Sequence, residues 1–155
     1  MEHSFAGETH RPSYANVESV MWPDRTMRCA RPLFMTTVSA GFPSPAEGYI
    51  EGRLDLNRYL IKHPTATFYV RVSGDSMTGV GIQPGTILVV DRQVEAEDGD
   101  IVIARINDEL CVKRLRVRHG RIWLMPENER FQPIEVIETM DFEVWGRVMH
   151  AIRSY

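Results

Sequence analysis

Thr67-Phe68-Tyr69-Val70-Arg71-Val72-Ser73-Gly74-Asp75-Ser76-Met77 is the stretch on which the rest of the chain depends. Its first six residues are rich in β-branched and aromatic side chains. A period of two puts Phe68, Val70 and Val72 on one face and Tyr69 and Arg71 on the other, which predicts a half-buried strand. Gly74 then permits a backbone reversal that sets the hydroxyl of Ser76 on a turn. The amides of such a turn, that of Ser76 with that of Asp75 or Met77, can converge on one point and receive a developing oxyanion. A hydroxyl so placed is a candidate nucleophile. Ser-Gly-Asp-Ser is also ordinary turn chemistry, and for these residues taken alone the plain turn is the commoner case.

Downstream, turn residues and β-runs alternate. Gln83-Pro84-Gly85 leads into Thr86–Asp91, Asp98-Gly99 into Asp100–Ile106, Asn107-Asp108 into Glu109–Val117 and His119-Gly120 into Arg121–Met125, with a last strand over Phe142–Ile152. Strands recurring about every dozen residues predict a mainly β, largely antiparallel fold with Greek-key or barrel-like closure. Trp123 and Trp145 read as core or interface aromatics. Upstream, Asp55 is an N-cap candidate, Leu56, Tyr59 and Leu60 fall at helical spacing and Pro64 is a stop, so one short helix is expected. Residues 1–37 are broken by Pro12, Pro23 and Pro32, scatter Arg11, Arg25, Arg28 and Arg31, and show no sustained helical period. They read as a flexible N-terminal arm, within which Met21 or Met27 is an alternative start.

The chain of 155 residues, 43% hydrophobic, suits one core. Its 18 basic and 21 acidic residues give a net charge of −3, without the basic field of a duplex-DNA binder, and direct sequence-specific DNA binding is not expected. Cys29 and Cys111 form neither a disulfide framework nor a zinc pattern, which points to a reducing cytoplasm. No run of about 18 to 20 apolar residues is present, and the start lacks a signal-peptide pattern.

A serine nucleophile needs a base. His3 and His10 lie in the polar head, His63 precedes Pro64, His119 sits at a turn, and only His150 falls in a β-like run. Lys113 is the better candidate. In Leu110-Cys111-Val112-Lys113-Arg114-Leu115 the period of two puts Lys113 on the same face as Cys111. With Arg114, Arg116 and Arg118 close by, the spacing alone also fits a cationic edge strand, and more readily.

Ser76 in Ser-Gly-Asp-Ser-Met and Lys113 in Cys-Val-Lys-Arg-Leu resemble the Ser-Lys dyad of the LexA/UmuD family of self-cleaving proteins. Ala40-Gly41-Phe42-Pro43-Ser44-Pro45-Ala46 resembles the family's cleavage-site region. Gly99-Asp100-Ile101-Val102-Ile103-Ala104, Pro126-Glu127-Asn128 and Val144-Trp145-Gly146-Arg147-Val148 resemble its later strands and connections. The similarity spans about residues 40–153. It resembles the UmuD type, although an alanine before the glycine, as at Ala40, is the LexA-type junction.

The resemblance implies a serine peptidase that cuts its own Ala40-Gly41 bond, with Ser76 as nucleophile and Lys113 as general base and then acid. Residues 1–40 would be the arm removed, and 41–155 the peptidase and polymerase-interaction domain. It further implies a homodimer, stimulation of cleavage by RecA filaments on single-stranded DNA, and a trimmed product that joins a UmuC-like Y-family polymerase subunit in SOS translesion synthesis. No metal or other cofactor is called for. An unperturbed lysine is neutral in only about one molecule in a few thousand at pH 7, so this role demands burial. Docking of the cleavage segment over the dyad would supply it. Other readings are a type I signal peptidase, disfavoured without a membrane anchor, and a LexA-type or phage-type repressor, disfavoured because no helix-turn-helix pattern precedes Gly41. A noncatalytic polymerase-binding module with a vestigial dyad is a third.

Overall fold

The computed structural model describes residues 16–23, 30–34 and 50–155. The junction Ala40-Gly41 with its flanking prolines, Met27 and Cys29 lie outside these residues. The fold is mainly β, one curled antiparallel sheet forming a half-barrel, with very little helix. Its strands are β1 (Val17–Met21), β4 (Thr67–Val72), β5 (Ile87–Asp91), β6 (Ile101–Ile106), β7 (Glu109–Arg118), β8 (Arg121–Met125), β9 (Ile134–Val136) and β10 (Phe142–Ile152). They lie in the order β1-β4-β5-β10-β6-β7-β8-β9, so the last strand in sequence runs between β5 and β6. A separate pair joins β2 (Ala30–Phe34) to β3 (Ile50–Asp55).

The local chemistry explains these elements. β6, β7 and β8 form a meander whose two-residue turns fall at Asn107-Asp108 and His119-Gly120. The left-handed φ values there (53° at Asn107, 50° at His119, 73° at Gly120) suit Asn and Gly and match tight hairpins. The helix α1 (Leu56–Leu60) starts where the Asp55 carboxylate accepts from the Asn57 amide at 3.0 Å, as an N-cap should. No helix among the described residues is long and apolar enough to cross a membrane.

Both faces of β6 and β7 are covered. Ile103 and Val112 join Phe68, Val70, Val72, Met77, Leu88 and Val90 in one cluster. Val102, Ala104, Ile106, Cys111 and Leu115 join Leu124 in the other. Two-sided burial accounts for the nearly unbroken apolar run of β6, since neither face meets water. Phe68, in the first cluster, meets Trp145 edge-on at 6.3 Å, in keeping with a core role for that tryptophan.

Two stretches read as part of an arm are strands. β1 pairs antiparallel with β4 (Val20 opposite Val70, Met21 opposite Tyr69), and Val17 and Val20 pack on the first cluster. β2 contains Pro32, which a two-stranded pair tolerates because every strand in it is an edge. Neither shows a clean alternation that would announce it. The sheet curls until Asn16, just ahead of β1, reaches β7: its amide donates to Leu110 O at 3.4 Å and its carbonyl accepts from the Ser73 amide at 2.9 Å.

Candidate active site

β4 delivers the turn that carries Ser76, the candidate nucleophile. Gly74 lies at φ 70°, a conformation that L side chains rarely adopt, and there the chain leaves β4. Ser76 follows at 3% exposure, and a short 3₁₀ turn over Thr78–Val80 continues from it. β7 delivers Lys113, which is 5% exposed. Lys113 Nζ stands 2.8 Å from Ser76 Oγ and 3.1 Å from Val112 O. The structure therefore brings the two predicted residues together, across 37 positions of sequence.

Burial holds the Lys113 amine below the usual lysine range, with a weaker opposing influence from Cys111. Burial also pushes the Cys111 thiol up to about 11, although Lys113 acts to lower it. At neutral pH that thiol is uncharged, so Cys111 supplies no thiolate to hold Lys113 as an ammonium. A neutral amine has one lone pair and two hydrogens. It can donate to Val112 O while accepting the Ser76 hydroxyl hydrogen, which is the arrangement a general base needs.

Asn16 is the polar neighbour that sequence reasoning missed. Its Nδ2 donates to Ser76 Oγ at 3.1 Å and to Val112 O at 3.3 Å, while its Oδ1 accepts from the Val112 amide at 2.6 Å. Nothing in the polar surroundings of Asn16 marks it out. Its place follows from the way the sheet closes.

On the other side, residues 126–130 brace the turn. The Glu127 amide donates to Ser76 O at 2.8 Å, and the Gly79 amide donates to Glu127 O at 2.7 Å. Asn128 Nδ2 donates to Asp75 O at 2.9 Å. The side chains of Arg130 and Asp75 pair, as do those of Arg114 and Glu127. Gly79 is required by proximity: a Cβ there would lie 2.4 Å from Glu127 O. A groove of about 490 Å³, lined by Thr78, Gly79, Pro126, Asn128 and Phe131 among others, opens beside this brace.

Among the described residues, no acceptor meets the amides of Asp75, Ser76 or Met77, the three considered for an oxyanion site. The described histidines lie elsewhere: His63 Nδ1 is 2.6 Å from Asp91, the His150 ring lies beside Tyr59, and His119 sits exposed in the turn between β7 and β8. Among the described residues no group of three His, Cys, Asp or Glu side chains is placed to hold a metal ion.

Known proteins are similar to this chain over most of its length. MucA of Salmonella typhimurium is 46% identical over 123 residues, which are 78% of this chain and 83% of MucA. ImpA of Shigella flexneri is 56% identical over 126 residues, 80% of this chain and 86% of ImpA. SamA of Salmonella typhimurium strain LT2 is 45% identical over 123 residues, 79% of this chain and 87% of SamA. Residues 32–149 match the Peptidase S24-like family, a span that contains Ser76, Lys113 and the brace at Glu127 and Asn128. With a buried serine and lysine in contact inside a match that covers most of its length, this chain belongs to the Peptidase S24-like family.

Proposed function

We propose that this chain is a UmuD-type self-cleaving peptidase that cuts its own Ala40-Gly41 bond with Ser76 and Lys113. The observation that carries the reading is the 2.8 Å contact between Ser76 Oγ and Lys113 Nζ, both buried, with the amine below its usual range. In the first step Ser76 Oγ adds to the carbonyl carbon of Ala40 as its proton passes to Lys113. The amides of Ser76 and of Asp75 or Met77 receive the oxyanion. Collapse breaks the C–N bond, and Lys113 returns the proton to the Gly41 nitrogen. Water, activated by Lys113, then hydrolyses the Ala40 ester on Ser76.

Residues 1–40 form the removed segment in this reading, and residues 41–155 form the product. The resemblance to the LexA/UmuD family supports the wider setting: a cytoplasmic homodimer whose cleavage is stimulated by RecA on single-stranded DNA, and a product that serves a Y-family polymerase in SOS mutagenesis. Incubation of purified chain with activated RecA is expected to yield a fragment beginning at Gly41. Ser76→Ala and Lys113→Ala are each expected to slow its appearance by at least about a thousandfold without loss of fold. Fragments at the parental rate from either variant would refute the roles assigned.

A further inference from the structure

We propose that Asn16 is a positioning residue for the nucleophile, its buried amide donating to Ser76 Oγ so that the serine hydroxyl is aimed at Lys113. The inference rests on the Ser-Lys reading above and deepens it. Asn16 is 5% exposed and its side chain is fixed from both ends. The Val112 amide can meet only the oxygen of the Asn16 amide, at 2.6 Å, so the orientation of that group is unambiguous. Nδ2 then reaches both Val112 O (3.3 Å) and Ser76 Oγ (3.1 Å). With Val112 it makes the paired bonds of a neighbouring strand. β7 has this edge to offer because its pairing with β8 begins only at Arg114.

The identity of the residue matters as much as its place. Ser76 Oγ can accept from Asn16 and still donate to Lys113, which leaves the hydroxyl hydrogen one direction to point. An amide achieves this without charge. A carboxylate in its place would accept from Val112 equally well but would offer Ser76 no donor, and it would favour the ammonium form of Lys113. Among the described residues the titratable group that acts on Lys113 is Cys111, which burial keeps neutral. Asn16 also precedes residues 32–149, so it lies outside the span matched to the family.

The test uses full-length chain and a small fluorophosphonate that labels serine nucleophiles, read by intact mass, with self-cleavage followed in parallel. Parental chain is expected to label at Ser76 at a rate that rises with pH to a plateau. Asn16→Asp should label at least about tenfold more slowly at pH 7, with the midpoint of its profile displaced to higher pH. Asn16→Ala should label more slowly on the plateau itself. If Asn16→Ala does not fold, Asn16→Asp, which keeps the acceptor for the Val112 amide, carries the test alone. Folded Asn16→Asp with the parental plateau rate would overturn the proposal, because a role confined to joining β1 to β7 would leave that rate unchanged, whereas the added charge by itself displaces the midpoint. Labelling at Ser76 in a chain that never cuts itself would sink the self-cleavage reading and leave Asn16 standing. Unchanged labelling of the Asn16 variants in a chain that does cut itself would sink Asn16 alone.

Discussion

An amine kept in a pocket with a serine, a thiol and a backbone carbonyl gains little from being charged, and this governs how Lys113 should behave as pH changes. Its value is lowered in the folded chain, chiefly by burial, so between that value and the ordinary lysine value of about 10.4 the unfolded chain binds more protons. Stability should therefore rise with pH through that window. Below the window the folded chain bears the full cost of a buried ammonium. Lys113→Met removes that cost and leaves Val112 O bonded to Asn16, so the variant should be more stable than the parent at neutral pH. Its advantage should fade as pH approaches about 10.4, where lysine is neutral in both states. Urea unfolding of both chains from pH 6 to 10 checks this; a constant difference would mean that Lys113 does not titrate differently on folding. Catalysis should follow the same group. Single-turnover self-cleavage without RecA is expected to rise about tenfold per pH unit below the Lys113 value and then level off. The benefit of RecA should shrink toward that plateau if it acts by favouring docking that desolvates the lysine. A flat profile would exclude Lys113 as the base.

Two elements, the brace at residues 126–130 and Asn16 ahead of β1, hold the Ser76 turn, and they differ in how far they could be foreseen. The brace at residues 126–130 depends on the close approach of Gly79 to Glu127. Gly79→Ala would drive a Cβ to within 2.4 Å of a backbone oxygen that cannot swing away. The contact between the Gly79 amide and Glu127 O must then open, which displaces the Ser76 backbone bonded to the Glu127 amide. We expect a loss of about 1–3 kcal/mol in stability and a larger loss in cleavage, measured by thermal unfolding and by fragment yield. Parental values for both would show that the brace is dispensable. The strands from β5 to β8 were legible because Gly, Asn and Asp punctuate them, and β8 and β10 run over the predicted residues. The contact between Ser76 and Lys113 was to be expected only from the resemblance to a family, since spacing alone favours a turn and a cationic edge. β1, β2 and Asn16 were not. Their pairings are long-range contacts with β4, β3 and β7, and the local sequence of a short edge strand has no need to advertise them.

For the molecule as a whole, the proposed cut at Ala40-Gly41 would sever β1 and β2 from the body of the fold. In the intact chain β1 meets β4 as an intramolecular partner, at an effective concentration on the order of millimolar. After the cut it must hold by its own contacts. These are a five-residue edge strand with Val17 and Val20 packed on the core, a Trp22 that is mostly exposed but sets its ring 5.6 Å from Phe68, the bonds of Asn16, and the two-stranded pairing of β2, on the same severed segment, with β3. At micromolar concentration we expect the severed segment to leave, and the backbone of β4 indicates where its departure can be read. The Val72 amide donates to Thr86 O, toward β5, whereas the Ser73 amide donates to Asn16 O. By the alternation of antiparallel pairing, the amides of Val70 and Val72 face β5, and those of Tyr69 and Arg71 face β1. Hydrogen exchange after cleavage should therefore accelerate at least about tenfold at Tyr69, Arg71 and Ser73 and stay slow at Val70 and Val72. Uniform protection would show that the segment remains docked, and uniform loss would show that the sheet itself opens. The alternating outcome would mean that cleavage uncovers a strand edge, a surface that pairs readily with a strand of another protein or of a second copy, and so would connect the proposed cut to the proposed assembly.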